Sequence, residues 1–278
     1  MFARRNRAWL WSGLLLVASW ALLLFVDTNS GGSGLQDSIT LGYLLGTMFG
    51  HATLAAAWTA YGPASLLWRL PLSLIWVTLL AIALGINIGL NAGPEGAHII
   101  VGACCFGLWL ALILPLCALA IGFGLRLQHA DDVGAAFDPR ERQFGIGQLL
   151  IVTTIVGLVL GAGRVLVTNV DPEVEYKGDT LAIIFLAVAS VIVSLPLVLA
   201  TLLRRLTILG VAIALAVVGL TTVLELPLLN TLHSGPGGPM IQDIVAINTF
   251  SAGIVMSVLG IVRLHGYSLS RSQAATKV

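Results

Sequence analysis

Eight stretches of about 20 residues run through this sequence with charge only near their edges, and no water-soluble fold accommodates so many of them. They lie at about 8–26, 39–62, 70–90, 97–125, 148–167, 180–203, 206–225 and 244–262. A hydrocarbon core of about 30 Å takes roughly 20 apolar residues per helical crossing, so each stretch has the length of one span. The stretches are continuous rather than alternating, which fits helices that satisfy their own backbone hydrogen bonds in lipid and not the strands of a barrel. The expected fold class is therefore all-α: a polytopic transmembrane helical bundle of about eight spans, with residues 1–278 forming a single integral membrane domain.

Composition points the same way. The chain is 58% apolar and 10% charged, with a mean hydropathy of +0.98, whereas soluble domains are about 25% charged. A net charge of only +1 argues against a nucleic-acid partner. The expected partner is the lipid bilayer, together with an unidentified membrane protein.

Basic residues set the expected orientation, because cytoplasmic loops carry the excess of Lys and Arg. Eight spans put Arg4, Arg5, Arg7, Arg69, Arg126, Arg140, Arg142, Arg204, Arg205, Arg263, Arg271 and Lys277 on one side, and leave Arg164 and Lys177 opposite. Both termini are thus expected in the cytoplasm, with the longest cytoplasmic loop at 126–147 and a short polar tail after Arg263. Trp9, Trp11, Trp58 and Trp68 fall near the same boundary, where indole rings favour the interface. The first span follows a basic start, but Asp27-Thr28-Asn29-Ser30 offers no small-x-small cleavage pattern, so it reads as a retained signal anchor.

The clearest motif serves packing. Gly42, Gly46 and Gly50 repeat every four residues in the second span, as do Gly85, Gly89 and Gly93 in the third, and Gly157 and Gly161 in the fifth. Small residues at this spacing line one helix face and admit a neighbouring backbone. The second and third spans, antiparallel neighbours, are expected to meet through their glycine faces. Pro115 and Pro196 each remove a helical hydrogen bond in the inner third of a span, and are the candidate hinges.

Polar groups within the spans are few. His51, Asn87 and Asn248 are the candidate cavity groups, accompanied by Thr47, Thr53 and Thr249; a pairing of His51 with Asn87 is one expectation. The acidic residues are all read at span ends or in loops, which disfavours proton-coupled transport. Glu95, His98, Glu225, His233 and Asp243 share the outer face, yet none has H-E-x-x-H or H-x-x-H spacing, so no metal is expected. Cys104, Cys105 and Cys117 lack C-x-x-C spacing and read as core filler. With no nucleophile elbow, P-loop or dinucleotide fingerprint, neither catalytic residues nor a cofactor are expected.

Two stretches carry a resemblance. His51-Ala52 through Ala57-Trp58-Thr59-Ala60-Tyr61-Gly62-Pro63 with Arg69-Leu70-Pro71-Leu72, and Arg142-Gln143-Phe144-Gly145-Ile146 through Leu149-Leu150 and Thr153-Thr154 to Arg164, resemble patterns of uncharacterised bacterial multi-pass membrane proteins. The resemblance implies a bacterial cytoplasmic-membrane protein without assigned activity and adds no site residue. The expected role is that of a structural, assembly or partner-binding component; the alternative is a passive or weakly coupled transporter of a small neutral or amphipathic solute.

Overall fold

The computed structural model describes residues 2–25, 35–63, 65–92, 97–123, 125–129, 177–202, 208–232 and 241–271. These are mostly helical, in seven helices: α1 Phe2–Phe25, α2 Leu35–Tyr61, α3 Leu66–Ala92, α4 Ala97–Phe123, α5 Lys177–Leu202, α6 Ile208–Leu232 and α7 Ile241–Leu264. Segments Ser38–Tyr61, Leu66–Ile86 and Ile241–Leu264 are long and apolar enough to cross a membrane. The expected span at 148–167, with Gly157 and Gly161, lies outside the described residues, as does Gly93.

The most extensive helix pair is α2 with α7. Gly42 abuts Ala246, Gly46 abuts Phe250, and Gly50 abuts Ile254, a constant register that makes the two helices parallel. α5 shares their direction: Thr53 and Ser194 hydroxyls are 2.9 Å apart, and the Arg263 Nη1 donates to the Thr201 carbonyl at 2.9 Å. α3 runs the other way beside α2, since Thr59 meets Ser73 and His51 meets Trp76. α6 is likewise antiparallel to α7, its late residue Glu225 meeting the early Asn248.

A small two-stranded sheet, which the all-α expectation does not include, closes one end of the mostly helical chain. β1 (Leu125–His129) follows α4, β2 (Tyr267–Arg271) follows α7, and the strands pair antiparallel with Leu127 opposite Leu269 and His129 opposite Tyr267. Both segments alternate apolar and polar residues, the period of a half-buried strand. Leu127, Tyr267 and Leu269 are buried, so the start of the expected loop and most of the expected tail are ordered packing elements. The turn is made by Gly266 at φ +92°, a left-handed helix stop that glycine adopts without strain, with its N–H donating to the Arg263 carbonyl at 2.9 Å. The sheet brings the C-terminal ends of α4 and α7 together, and Arg126 and Arg263 lie at that end.

The core centres on α2. Met48, Phe49, Tyr61, Leu80, Leu84, Leu108, Trp109, Leu112, Leu116 and Leu197 are fully covered. The outer surface is apolar instead of polar: on α3, Trp68, Leu72, Ile75, Leu79, Ile82 and Ile86 form an exposed stripe at helical spacing. The helices continue through Pro115 and Pro196, as α3 does through Pro71 and α6 through Pro227.

Candidate functional site

Two buried polar nodes lie within the helices. The first is built on His51, the residue directly after the glycine ladder. Because Gly50 turns that ladder toward α7, His51, about 100° further around the helix, points away toward α1 and α3. It is fully buried, and its ring lies parallel to that of Trp76 on α3, with centroids 5.6 Å apart and planes 5° from coplanar. Its Nε2 is 2.9 Å from the Ser19 hydroxyl on α1. That hydroxyl donates its single proton to the Leu16 carbonyl at 2.9 Å, so the proton between His51 and Ser19 belongs to His51 Nε2. The Nδ1 atom then offers only a lone pair, and among the described residues it has no hydrogen-bond partner. Tyr43 fastens the same point by donating to the Ser19 carbonyl at 2.7 Å. Ser19 and Trp76 are therefore the neighbours of His51, and the side chain of Asn87 lies outside the described residues.

The second node joins α6 and α7. Asn248 Nδ2 donates both of its protons, one to the Thr222 hydroxyl at 2.9 Å and one to Glu225 Oε2 at 3.0 Å. Thr222 passes its own proton back to the Val218 carbonyl at 2.7 Å. Glu225 is 2% exposed, and its Oε1 has no hydrogen-bond partner among the described residues. This corrects the reading of Glu225 as a span end at the outer face. α6 continues to Leu232, so the carboxyl sits roughly 10 Å inside its helix, level with Asn248, about 10 Å inside α7. The run Leu226-Pro227-Leu228-Leu229 after the glutamate was the available signal that the helix carries on.

Other candidate residues are distributed rather than convergent. Gly42, Gly46 and Gly50 meet α7 where α3 was expected. The reason is that α7 presents Ala246 and backbone at the same four-residue interval, while α3 meets α2 through Thr59–Ser73 and His51–Trp76 on another face. Gly85 is buried in α3 and Gly89 lies in its last turns. Pro115 and Pro196 are half-buried within α4 and α5. Among the described residues no three His, Cys, Asp or Glu side chains gather as metal ligands. Glu95 and His233 of the outer-face set, and the side chain of His98, lie outside the described residues.

At the other end, Arg69 is nine-tenths buried beneath the last turn of α2, with its Cδ against Gly62, and its Nε has no hydrogen-bond partner among the described residues. His129 Nε2 donates to the His265 carbonyl at 3.0 Å and its ring meets Tyr267 edge-on at 5.1 Å, so His129 secures the small sheet.

Compared with protein-family models, with curated proteins and with solved structures, the chain matches none.

Proposed function

We propose that the chain is an integral protein of a bacterial cytoplasmic membrane, with eight spans and both termini in the cytoplasm, serving as a structural, assembly or partner-binding component. The observation that carries this reading is where the polar side chains within the helices go. His51 bonds to Ser19, Thr53 to Ser194, Thr59 to Ser73, and Asn248 to Thr222 and Glu225, each pair joining two helices. Polar groups used this way hold helices together where no hydrophobic drive acts between them.

Connectivity supports the span number. α4 and α5 point in the same direction, so His129 and Lys177 lie at opposite ends of the bundle, which agrees with a total of eight spans. The end shared by Arg69, Arg126 and Arg263 suits the cytoplasmic face. The exposed stripe on α3 suits a bilayer, which would cover the roughly half-exposed leucines and isoleucines.

The test is native mass spectrometry of the protein released from its own membrane in lipid nanodiscs. A partner-binding component emerges in a defined complex heavier than the 29.2 kDa chain; a species at the chain mass alone, together with solute flux in liposomes, would overturn the reading. The transporter alternative is favoured by one observation, the buried Glu225 carboxyl, because ionisable groups inside spans mark ion and proton pathways.

A further inference from the structure

We propose that Glu225, held by Asn248 against α7, is an exchangeable proton-binding site within the membrane. The inference stands independently of the structural role above. It begins with the two carboxyl oxygens. Oε2 receives one amide proton from Asn248, whose other amide proton goes to Thr222, so the amide has nothing further to donate. Oε1 is enclosed and receives no donor from the described residues.

Among the described residues an ionised carboxylate here would have one neutral hydrogen bond and no counter-cation, and burying an uncompensated charge is far costlier than burying a neutral acid. The described ionisable groups on α7 lie near its ends: Asp243 in the first turn, with Arg263 and His265 at the opposite end. On α5, the other helix packed against α6, Ser190, Ser194 and Thr201 are the buried polar residues described, and Lys177 and Asp179 occupy the first turn. Asp243 would oppose a negative charge on Glu225, and Arg263 bonds the Thr201 carbonyl far from it.

A bound metal cation suits the node less well than a proton. The Asn248 amide N–H groups point at Glu225 and Thr222, where a cation would need oxygens, and cations such as calcium take six or more oxygen ligands. Exchange is expected to occur by opening of the helix beside the carboxyl. Pro227, two residues beyond Glu225, brings no N–H to α6 and so leaves the Val223 carbonyl without its helical donor, the place where such an opening would begin.

Infrared spectroscopy of the full chain in lipid at neutral pH tests this. The expected result is a carbonyl stretch of a protonated carboxylic acid that shifts in deuterated water, disappears in Glu225→Gln, and is displaced but retained in Glu225→Asp. A complementary test on the unaltered protein uses dicyclohexylcarbodiimide. The acid proton moves to a carbodiimide nitrogen, the carboxyl oxygen adds to the central carbon, and the O-acylisourea rearranges to a stable N-acylurea whose full reagent mass stays on the peptide containing Glu225. Absence of the acid band from the unaltered protein, a band unchanged in Glu225→Gln, or a band that never shifts in deuterated water overturns the proposal. So does labelling suppressed by sodium or lithium ions, which would assign the carboxyl to a cation.

Discussion

Gly46 of α2 lies so close to Phe250 of α7 that a methyl group on the glycine would sit 2.7 Å from both the Phe250 Cβ and the Ile247 carbonyl oxygen. Neither contact can give way easily, because one is backbone and the other is the atom nearest to it. The seam between the parallel helices α2 and α7 is therefore fixed in depth and register by missing side chains, Gly46 against Phe250 with Gly42 against Ala246 on one side and Gly50 against Ile254 on the other.

A graded response to alanine follows. Gly46→Ala and Gly42→Ala should each destabilise the bundle by about 1–3 kcal/mol, the usual cost of overpacking a close contact. Gly50→Ala, whose nearest neighbours are Ile254 side-chain atoms at 3.2 Å, should cost less. Gly253→Ala and Gly107→Ala, with nothing within 4 Å, should fall within about 1 kcal/mol of the parent or stabilise it through helix propensity. Thermal unfolding midpoints in one detergent order the five variants, and an equal loss at Gly46 and Gly253 would contradict the seam.

The His51 node separates packing from hydrogen bonding. Ser19→Ala removes one interhelical bond and should cost about 0.6–1.7 kcal/mol, the measured range for such bonds in membrane bundles. His51→Ala removes that bond and the ring stacked on Trp76, and should cost about 2–4 kcal/mol, as large-to-small changes in a core do. His51→Phe should recover most of the packing but not the bond, so it should unfold near the temperature of Ser19→Ala. Solute flux in liposomes that vanishes in His51→Phe while stability is retained would instead favour transport.

The ladder in α2 is legible in sequence because four-residue spacing is a local property of a helix, and it places Gly42, Gly46 and Gly50 on one face without reference to any neighbour. Which helix meets that face is not local. α3 follows in the chain and carries its own glycines, yet α7 fits the groove because Ala246 and the Ile247 and Ser251 backbone lie at matching heights. His51 could be singled out as a polar group in an apolar run, but Ser19 and Trp76 lie on two other helices, and nothing in their local sequence marks them as its neighbours. Glu225 was misplaced for a different reason. Hydropathy ends an apolar run at the first carboxylate, whereas a helix ends where its backbone hydrogen bonds do, and α6 runs on to Leu232. The strands escaped notice because five residues of alternation, beginning two residues after α4 and after a one-glycine turn beyond α7, are short beside the helices that precede them.

Gly266 should be sensitive to substitution, being the one described glycine with a positive φ. At φ +92° an L side chain is strained by about 1–2 kcal/mol, and its Cβ would sit 3.1 Å from the His129 Nε2 that donates to the His265 carbonyl. Gly266→Ala should therefore loosen β2 specifically. Limited proteolysis is expected to cut within 267–271 faster in this variant than in the parent, while Gly46→Ala should leave that cleavage unchanged relative to global unfolding. Equal protection of the tail in Gly266→Ala and the parent would show that the strand pairing does not depend on this turn.

Asn248 is the better residue for measuring what the α6–α7 node contributes, because it supplies both of the interhelical bonds. Asn248→Ala leaves the Thr222 hydroxyl without one partner and Glu225 Oε2 without its donor, and leaving a buried acceptor unsatisfied costs about 1–3 kcal/mol. Thr222→Val removes only the smaller share, since the threonine proton goes to its own helix at Val218. A double-mutant cycle with Glu225→Leu isolates the carboxyl. If Oε2 is the main partner, Asn248→Ala should cost distinctly less in the Glu225→Leu background than in the parent, with a coupling of about 0.5–2 kcal/mol. Additivity of the two substitutions within experimental error would mean that the 3.0 Å bond contributes nothing to holding α6 against α7, and the stability of that interface would then rest on its apolar contacts.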